Sequence, residues 1–112
     1  MTHYAFGDVI LVPFPFSNQL GVKQRPAVIV SSSAYQAAKP DVLILAITSQ
    51  VRMPLSFGEV LIRDWQAAGL LKPSVLKPVI TTLEQRLIRR VMGTLSTQDQ
   101  QALKQIIRLC VG

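Results

Sequence analysis

The chain has 112 residues, 49% of them apolar, which suits one domain (residues 1–112) with an unstapled core and excludes a disordered chain. Its single cysteine, Cys110, excludes an internal disulfide and a thiolate metal cluster. Twelve Lys and Arg against six Asp and Glu give a formal charge of +6, a balance suited to a polyanion such as nucleic acid or an acidic protein tail.

Met1-Thr2-His3-Tyr4 lacks the basic start of a signal peptide, and the apolar run at 9–16 is short and interrupted by Pro13 and Pro15. Neither an export signal nor a membrane span is therefore expected, and the chain is assigned to the cytoplasm. Residues 9–12 and 27–31 read as strands. The first is held by its prolines to an edge or a bulge, because proline has no N–H for a ladder. Residues 42–47, Val-Leu-Ile-Leu-Ala-Ile, are apolar without alternation, as in a strand buried on both faces. Residues 64–69 read as a single helical turn, with Asp64 as N-cap and Gly69 just past its end.

Residues 74–83 read as one or two strands around Pro78. The stretch 84–92 fits a helix by the spacing of Leu83, Leu87, Ile88 and Val91, or a twisted strand by its arginines and Gly93. The last element reads as a helix: Ser96 caps it, Asp99 sits at N3, and Leu103, Ile106, Ile107 and Cys110 form an apolar stripe. The expected class is mainly β with short helices (α+β): an SH3-like small barrel or curled antiparallel sheet with a C-terminal helix.

Elimination narrows the chemistry. One histidine, His3, excludes a pair of imidazoles as acid and base. The carboxylates Asp8, Asp41, Glu59, Asp64, Glu84 and Asp99 are scattered, without the clustered pair that a magnesium site uses. Asp8 reads as a strand-start residue. No glycine-rich phosphate loop or Gly-x-Ser-x-Gly elbow occurs, so no metal or cofactor is expected. Arginines and hydroxyls remain as groups able to act on a phosphodiester, and RNA supplies its own nucleophile, the 2′-OH.

Arg25, fixed by Pro26 between a polar loop and the strand at 27–31, is presented at a strand mouth, where its guanidinium is a planar fork for two phosphate oxygens. As a bare loop charge it would instead tie down a turn. Thr48 and Ser49 follow directly on the strand at 42–47, which aims their hydroxyls. Alone they would read as turn residues, and they gain weight beside Arg25. Arg86, Arg89 and Arg90 form the densest basic cluster, readable as a phosphate rail or as a solvated face. Trp65 reads as a core anchor.

Several short stretches fall in a familiar order and spacing over nearly the whole chain: Gly7-Asp8-Val9, Arg25-Pro26-Ala27-Val28-Ile29-Val30-Ser31, Ile47-Thr48-Ser49-Gln50, Asp64-Trp65, Ala68-Gly69-Leu70, Lys72-Pro73-Ser74 and Gly93-Thr94-Leu95-Ser96. Together they resemble the MazF/PemK family of toxin ribonucleases. The resemblance implies the toxin component of a type II toxin–antitoxin system: a homodimeric, metal-independent, sequence-specific endoribonuclease. Such an enzyme cuts single-stranded RNA through 2′-OH attack and leaves 2′,3′-cyclic phosphate and 5′-OH ends. A cognate antitoxin blocks it by laying an acidic tail across the RNA groove. The mean hydropathy of +0.34 also favours a buried interface between two copies.

By position, the resemblance makes Arg25 and Thr48 the catalytic residues. With a pKa above about 12, Arg25 suits charge stabilisation and proton donation better than base duty, while Thr48 holds the scissile phosphate. The implied RNA-binding residues are Phe16, Ser17, Asn18, Gln19, Lys23 and Gln24, from a loop over the site, with Ser49 and Gln50 beside it. Phe16 either stacks under a base or packs with Phe14. That loop offers no second acid–base residue. The chief rival is a non-enzymatic, CcdB-like gyrase inhibitor on the same barrel. The tail Leu109-Cys110-Val111-Gly112, in place of Trp-Gly-Ile, disfavours it. A catalytically silent nucleic-acid- or protein-binding SH3-like module is the third reading.

Overall fold

Apolar side chains on both faces of the central strands curl this chain into a half-barrel sheet with a core on each side. The computed structural model describes residues 4–13 and 24–112. Its elements are β1 (Asp8–Pro13), β2 (Gln24–Ile29), α1 (Ser33–Ala38), β3 (Asp41–Thr48), β4 (Val60–Leu61), β5 (Val75–Glu84), β6 (Arg90–Thr94) and α2 (Thr97–Val111), with a 3-10 turn at Gln85–Leu87. The strands form one antiparallel sheet in the order β4-β5-β3-β2-β1-β6. The mainly β class with a C-terminal helix is thus as the sequence implies.

Strand alternation divides the core. Val9, Val28, Leu45, Ile47 and Leu76 face a cluster that α2 closes with Leu103 and Ile106. Burying each of those two helix side chains contributes about 1.5–3 kcal/mol. Ile10, Val12, Ala27, Ile29, Val42 and Ile44 build the second cluster on the opposite face. β3 therefore feeds both cores, as its unbroken apolar run requires.

Several local expectations need correction. β1 is not an edge strand: β2 pairs with one side of it and β6 with the other, leaving β4 and β6 at the edges. A register shift against β6 does occur, between Val9 and Ile10, away from Pro13. Pro13 is the last residue of β1, past Leu11, where bridging to β6 ends. The second strand starts at Gln24 rather than 27 and ends at Ile29, so Arg25 lies within β2, paired with Val12. Residues 74–83 yield one strand that absorbs Pro78. Leu45 pairs with Ile80 and Ile47 with Leu76, so residues 77–79 oppose Ala46 alone and Pro78 breaks no ladder bond. The ambiguous stretch 84–92 divides into the 3-10 turn and the start of β6.

Residues 63–69 form the single helical turn expected, with the Ala68 N–H donating to Asp64 O at 3.1 Å. It closes as a Schellman motif, with Leu70 N–H donating to Trp65 O and Gly69 N–H to Gln66 O at 3.0 Å each. Gly69 has φ +82, and a Cβ there would lie 2.1 Å from the Met92 carbonyl oxygen, so only glycine lets this turn seat against β6. Asp64 does not cap the turn with its carboxylate. It offers its N–H to Asp99 Oδ2 at 2.9 Å. α2 does begin at the Ser96 cap, whose Oγ accepts the Asp99 N–H. Its apolar stripe stops at half-buried Ile107, since Cys110, one turn further, has left the core and is exposed.

Candidate functional site

The register of β2 on β3 pairs Ala27 with Ala46. Two residues on, past the last bridged pair, it sets Arg25 across from Thr48. Alternation places both on the face of the second core, at the end where its apolar side chains give out. A cleft of about 340 Å³ opens there, lined by Arg25, Ala46, Thr48, Gln50, Lys77 and Val79 among others. Gln24, Pro26 and Ser49 extend it on one side in a space of about 230 Å³. Arg52, Ser56 and Glu59 extend it on the other in one of about 310 Å³. Thr48 and Gln50 line all three, so the spaces form one groove with Thr48 near its middle.

The local chain prepares Thr48 for a ligand. Its Oγ1 accepts the Gln50 N–H at 3.1 Å. That bond fixes the hydroxyl's orientation at the strand end and leaves its O–H free to donate. Thr48 is half-buried, while Arg25, Ser49 and Gln50 are exposed. The charged side chains of the groove are Arg25, Arg52 and Lys77 against Glu59. Glu59 Oε1 is occupied by the Ser56 N–H at 2.9 Å, and Oε2 lies 4.0 Å from Lys77 Nζ. The groove is therefore net positive and suited to a polyanion.

Of the residues expected at the site, the fold gathers Gln24, Arg25, Thr48, Ser49 and Gln50. Phe16, Ser17, Asn18, Gln19 and Lys23 lie outside the described residues, as does His3. Lys77, Arg52 and Glu59 also line the groove, though no motif singles them out in the sequence. Pro78 was the available signal, since a proline inside a strand marks a bulge that redirects its neighbours. Arg86, Arg89 and Arg90 line none of these spaces, and Arg86 pairs with Glu84. Trp65 is half-buried against the first core, as expected. Asp8 serves at the start of β1, accepting Ala5 N–H at 2.9 Å and Thr94 Oγ1–H at 3.0 Å. Among the described residues, no three His, Cys, Asp or Glu side chains gather as metal ligands, and no helix is long and apolar enough to cross a membrane.

A family model described as a PemK-like, MazF-like toxin of type II toxin–antitoxin systems matches residues 5–111. Among solved structures, an endoribonuclease in complex with its cognate antitoxin from a mycobacterial species superposes with a TM-score of 0.77 at 19% identity, covering 98% of this chain and 96% of that one. The Mycobacterium tuberculosis toxin MazF-mt6 does so with 0.73 at 22% identity, over 92% and 94%. A chain of a MazE–MazF structure from Deinococcus radiodurans gives 0.72 at 16% identity, over 96% and 94%. At such identities the likeness is one of fold. No curated protein is similar enough in sequence to count as a match.

Proposed function

Because the chain belongs to the PemK-like, MazF-like toxins of type II toxin–antitoxin systems, we propose that it is a metal-independent endoribonuclease that cuts single-stranded RNA at the groove around Arg25 and Thr48. The observation that carries this reading is the cross-strand placement of Arg25 and Thr48 in one open, net positive groove. In the reaction the 2′-oxygen attacks the adjacent phosphorus, an O2′–P bond forms and the P–O5′ bond breaks. The 2′-OH proton leaves to the medium and the departing 5′-oxygen takes one up. The ends are a 2′,3′-cyclic phosphate and a 5′-OH. The Arg25 fork receives the non-bridging oxygens as charge builds on them, and the Thr48 O–H donates to the same phosphate.

The donor set supports metal independence: guanidinium, ammonium and hydroxyl groups surround the scissile position, and the one carboxylate there, Glu59, has its Oε1 taken by the Ser56 N–H. Gln24, Ser49 and Gln50 flank that position and suit base edges or sugar hydroxyls, and the family resemblance adds Phe16, Ser17, Asn18, Gln19 and Lys23 as RNA-binding residues. A cognate antitoxin with an acidic tail suits the same basic groove, and one similar structure is of an endoribonuclease in complex with its cognate antitoxin. The working form is a cytoplasmic homodimer.

The test is cleavage of a long single-stranded RNA in excess EDTA. Wild-type protein should release discrete fragments, with Thr48→Ala about 10²-fold slower and Thr48→Ser close to wild type, the cost of one fixed donor. RNA left intact across varied sequences would overturn the nuclease reading in favour of a non-enzymatic inhibitor.

A further inference from the structure

Pro78 does more than interrupt β5. Leu76 pairs with Ile47 and belongs to the first core, so its neighbour Lys77 turns to the opposite face, the one that Ala46 and Thr48 occupy. The bulge at residues 77–79 keeps that side chain in the groove, where it lines both the cleft holding Arg25 and Thr48 and the polar space beyond. β2 and β5 flank β3 in the sheet. Arg25 and Lys77 therefore stand on the two strands either side of the one carrying Thr48.

A pentacoordinate phosphorus carries two negative charges on non-bridging oxygens, and a single guanidinium fork meets them from one side only. A second cation across the hydroxyl completes the cradle. The Lys77 side chain is 42% exposed, and its ammonium is 4.0 Å from Glu59 Oε2, too far for a hydrogen bond. Among the described residues no hydrogen bond occupies its three N–H donors. The Glu59 side chain is only 16% exposed and anchored through Oε1 to the Ser56 N–H, so it offers a fixed negative charge beside Lys77.

We propose that Lys77 is the second cation of the scissile-phosphate site, set across Thr48 from Arg25, and that Glu59 is a positioning residue holding its ammonium at the groove. The proposal rests on the nuclease reading above.

It is tested by steady-state cleavage and thermal melts of wild type, Lys77→Ala, Lys77→Met, Lys77→Arg, Glu59→Gln and the double variant Glu59→Gln/Lys77→Ala. Lys39→Ala, at the end of α1, controls for net charge. Lys77→Ala should lower kcat about 10²-fold with KM changed less than about threefold. Lys77→Met, which keeps the aliphatic stem, should lose as much, and Lys77→Arg should recover to within about tenfold of wild type. Glu59→Gln should lower kcat about fivefold alone and cost nothing further in the Lys77→Ala background, as for a residue acting through its neighbour. Lys39→Ala should cleave as wild type.

Cleavage by Lys77→Ala at the wild-type rate, or a loss confined to KM, overturns the role of Lys77 and leaves the nuclease reading standing. A Glu59→Gln loss that persists in the Lys77→Ala background overturns the positioning role. Wild-type protein that leaves every RNA intact overturns the nuclease reading and this proposal together.

Discussion

Arg25→Ala should lower kcat/KM for RNA cleavage by about 10³-fold while moving the melting temperature by less than about 2 °C. Arg25 sits in β2, yet its side chain is exposed and belongs to neither core cluster, so the fold loses little by its truncation. The reaction loses the planar fork that meets two phosphate oxygens at once. Arg25→Lys restores the charge but not the fork and should recover only about one tenth to one hundredth of the wild-type rate. Single-turnover cleavage with saturating enzyme separates this loss from weakened binding. An Arg25→Ala protein that cuts within about threefold of wild type would remove Arg25 from the reaction.

Asp99→Ala should lower the melting temperature by about 12 °C through a loss of about 3 kcal/mol. The Asp99 side chain is buried, with the residue 1% exposed. Its Oδ1 accepts the Arg63 N–H at 2.9 Å, and its Oδ2 accepts the Asp64 N–H at 2.9 Å and the Ser96 Oγ–H at 3.2 Å. Truncation strands two backbone donors at the start of the 63–69 turn and removes a negative charge from the first turn of α2. Asp99→Asn keeps one acceptor oxygen but turns an amide N–H₂ toward a backbone donor, and should lose about half as much. Thermal denaturation followed by circular dichroism reads both. A shift below about 3 °C for Asp99→Ala would mean that the two N–H groups find other partners.

The same two residues mark where the sequence could and could not be read. Strong periodicity and caps were legible: the unbroken apolar run of β3, the Ser96 cap and the α2 stripe through Ile107 all appear as their spacing implies. Asp99 looked like an ordinary first-turn acid, because its two backbone donors lie 36 and 35 residues away and no local pattern announces them. Arg25 was legible as a candidate site residue but not as a strand residue. Gln24-Arg25-Pro26 is polar and interrupted by proline, and only pairing with β1 makes it extended.

β1 resembled an edge for a related reason, since its prolines are local signals whereas the strand covering its other side, β6, arrives some eighty residues later. Pro78 announced a break in β5. Which way the break turns Lys77 depends on the register against Ala46, a long-range fact. Cys110 fits the helical period, yet the core beneath α2 ends one turn earlier.

The most direct test of the nuclease reading uses two otherwise identical single-stranded RNAs, one all-ribose and one with a single 2′-deoxy nucleotide 5′ to the scissile bond. Both are incubated with wild-type protein in excess EDTA. The all-ribose strand should be cut to a 2′,3′-cyclic phosphate and a 5′-OH, while the deoxy strand survives intact at that position. Cleavage of the deoxy strand there, or products ending in 3′-OH and 5′-phosphate, would contradict attack by the RNA's own 2′-oxygen.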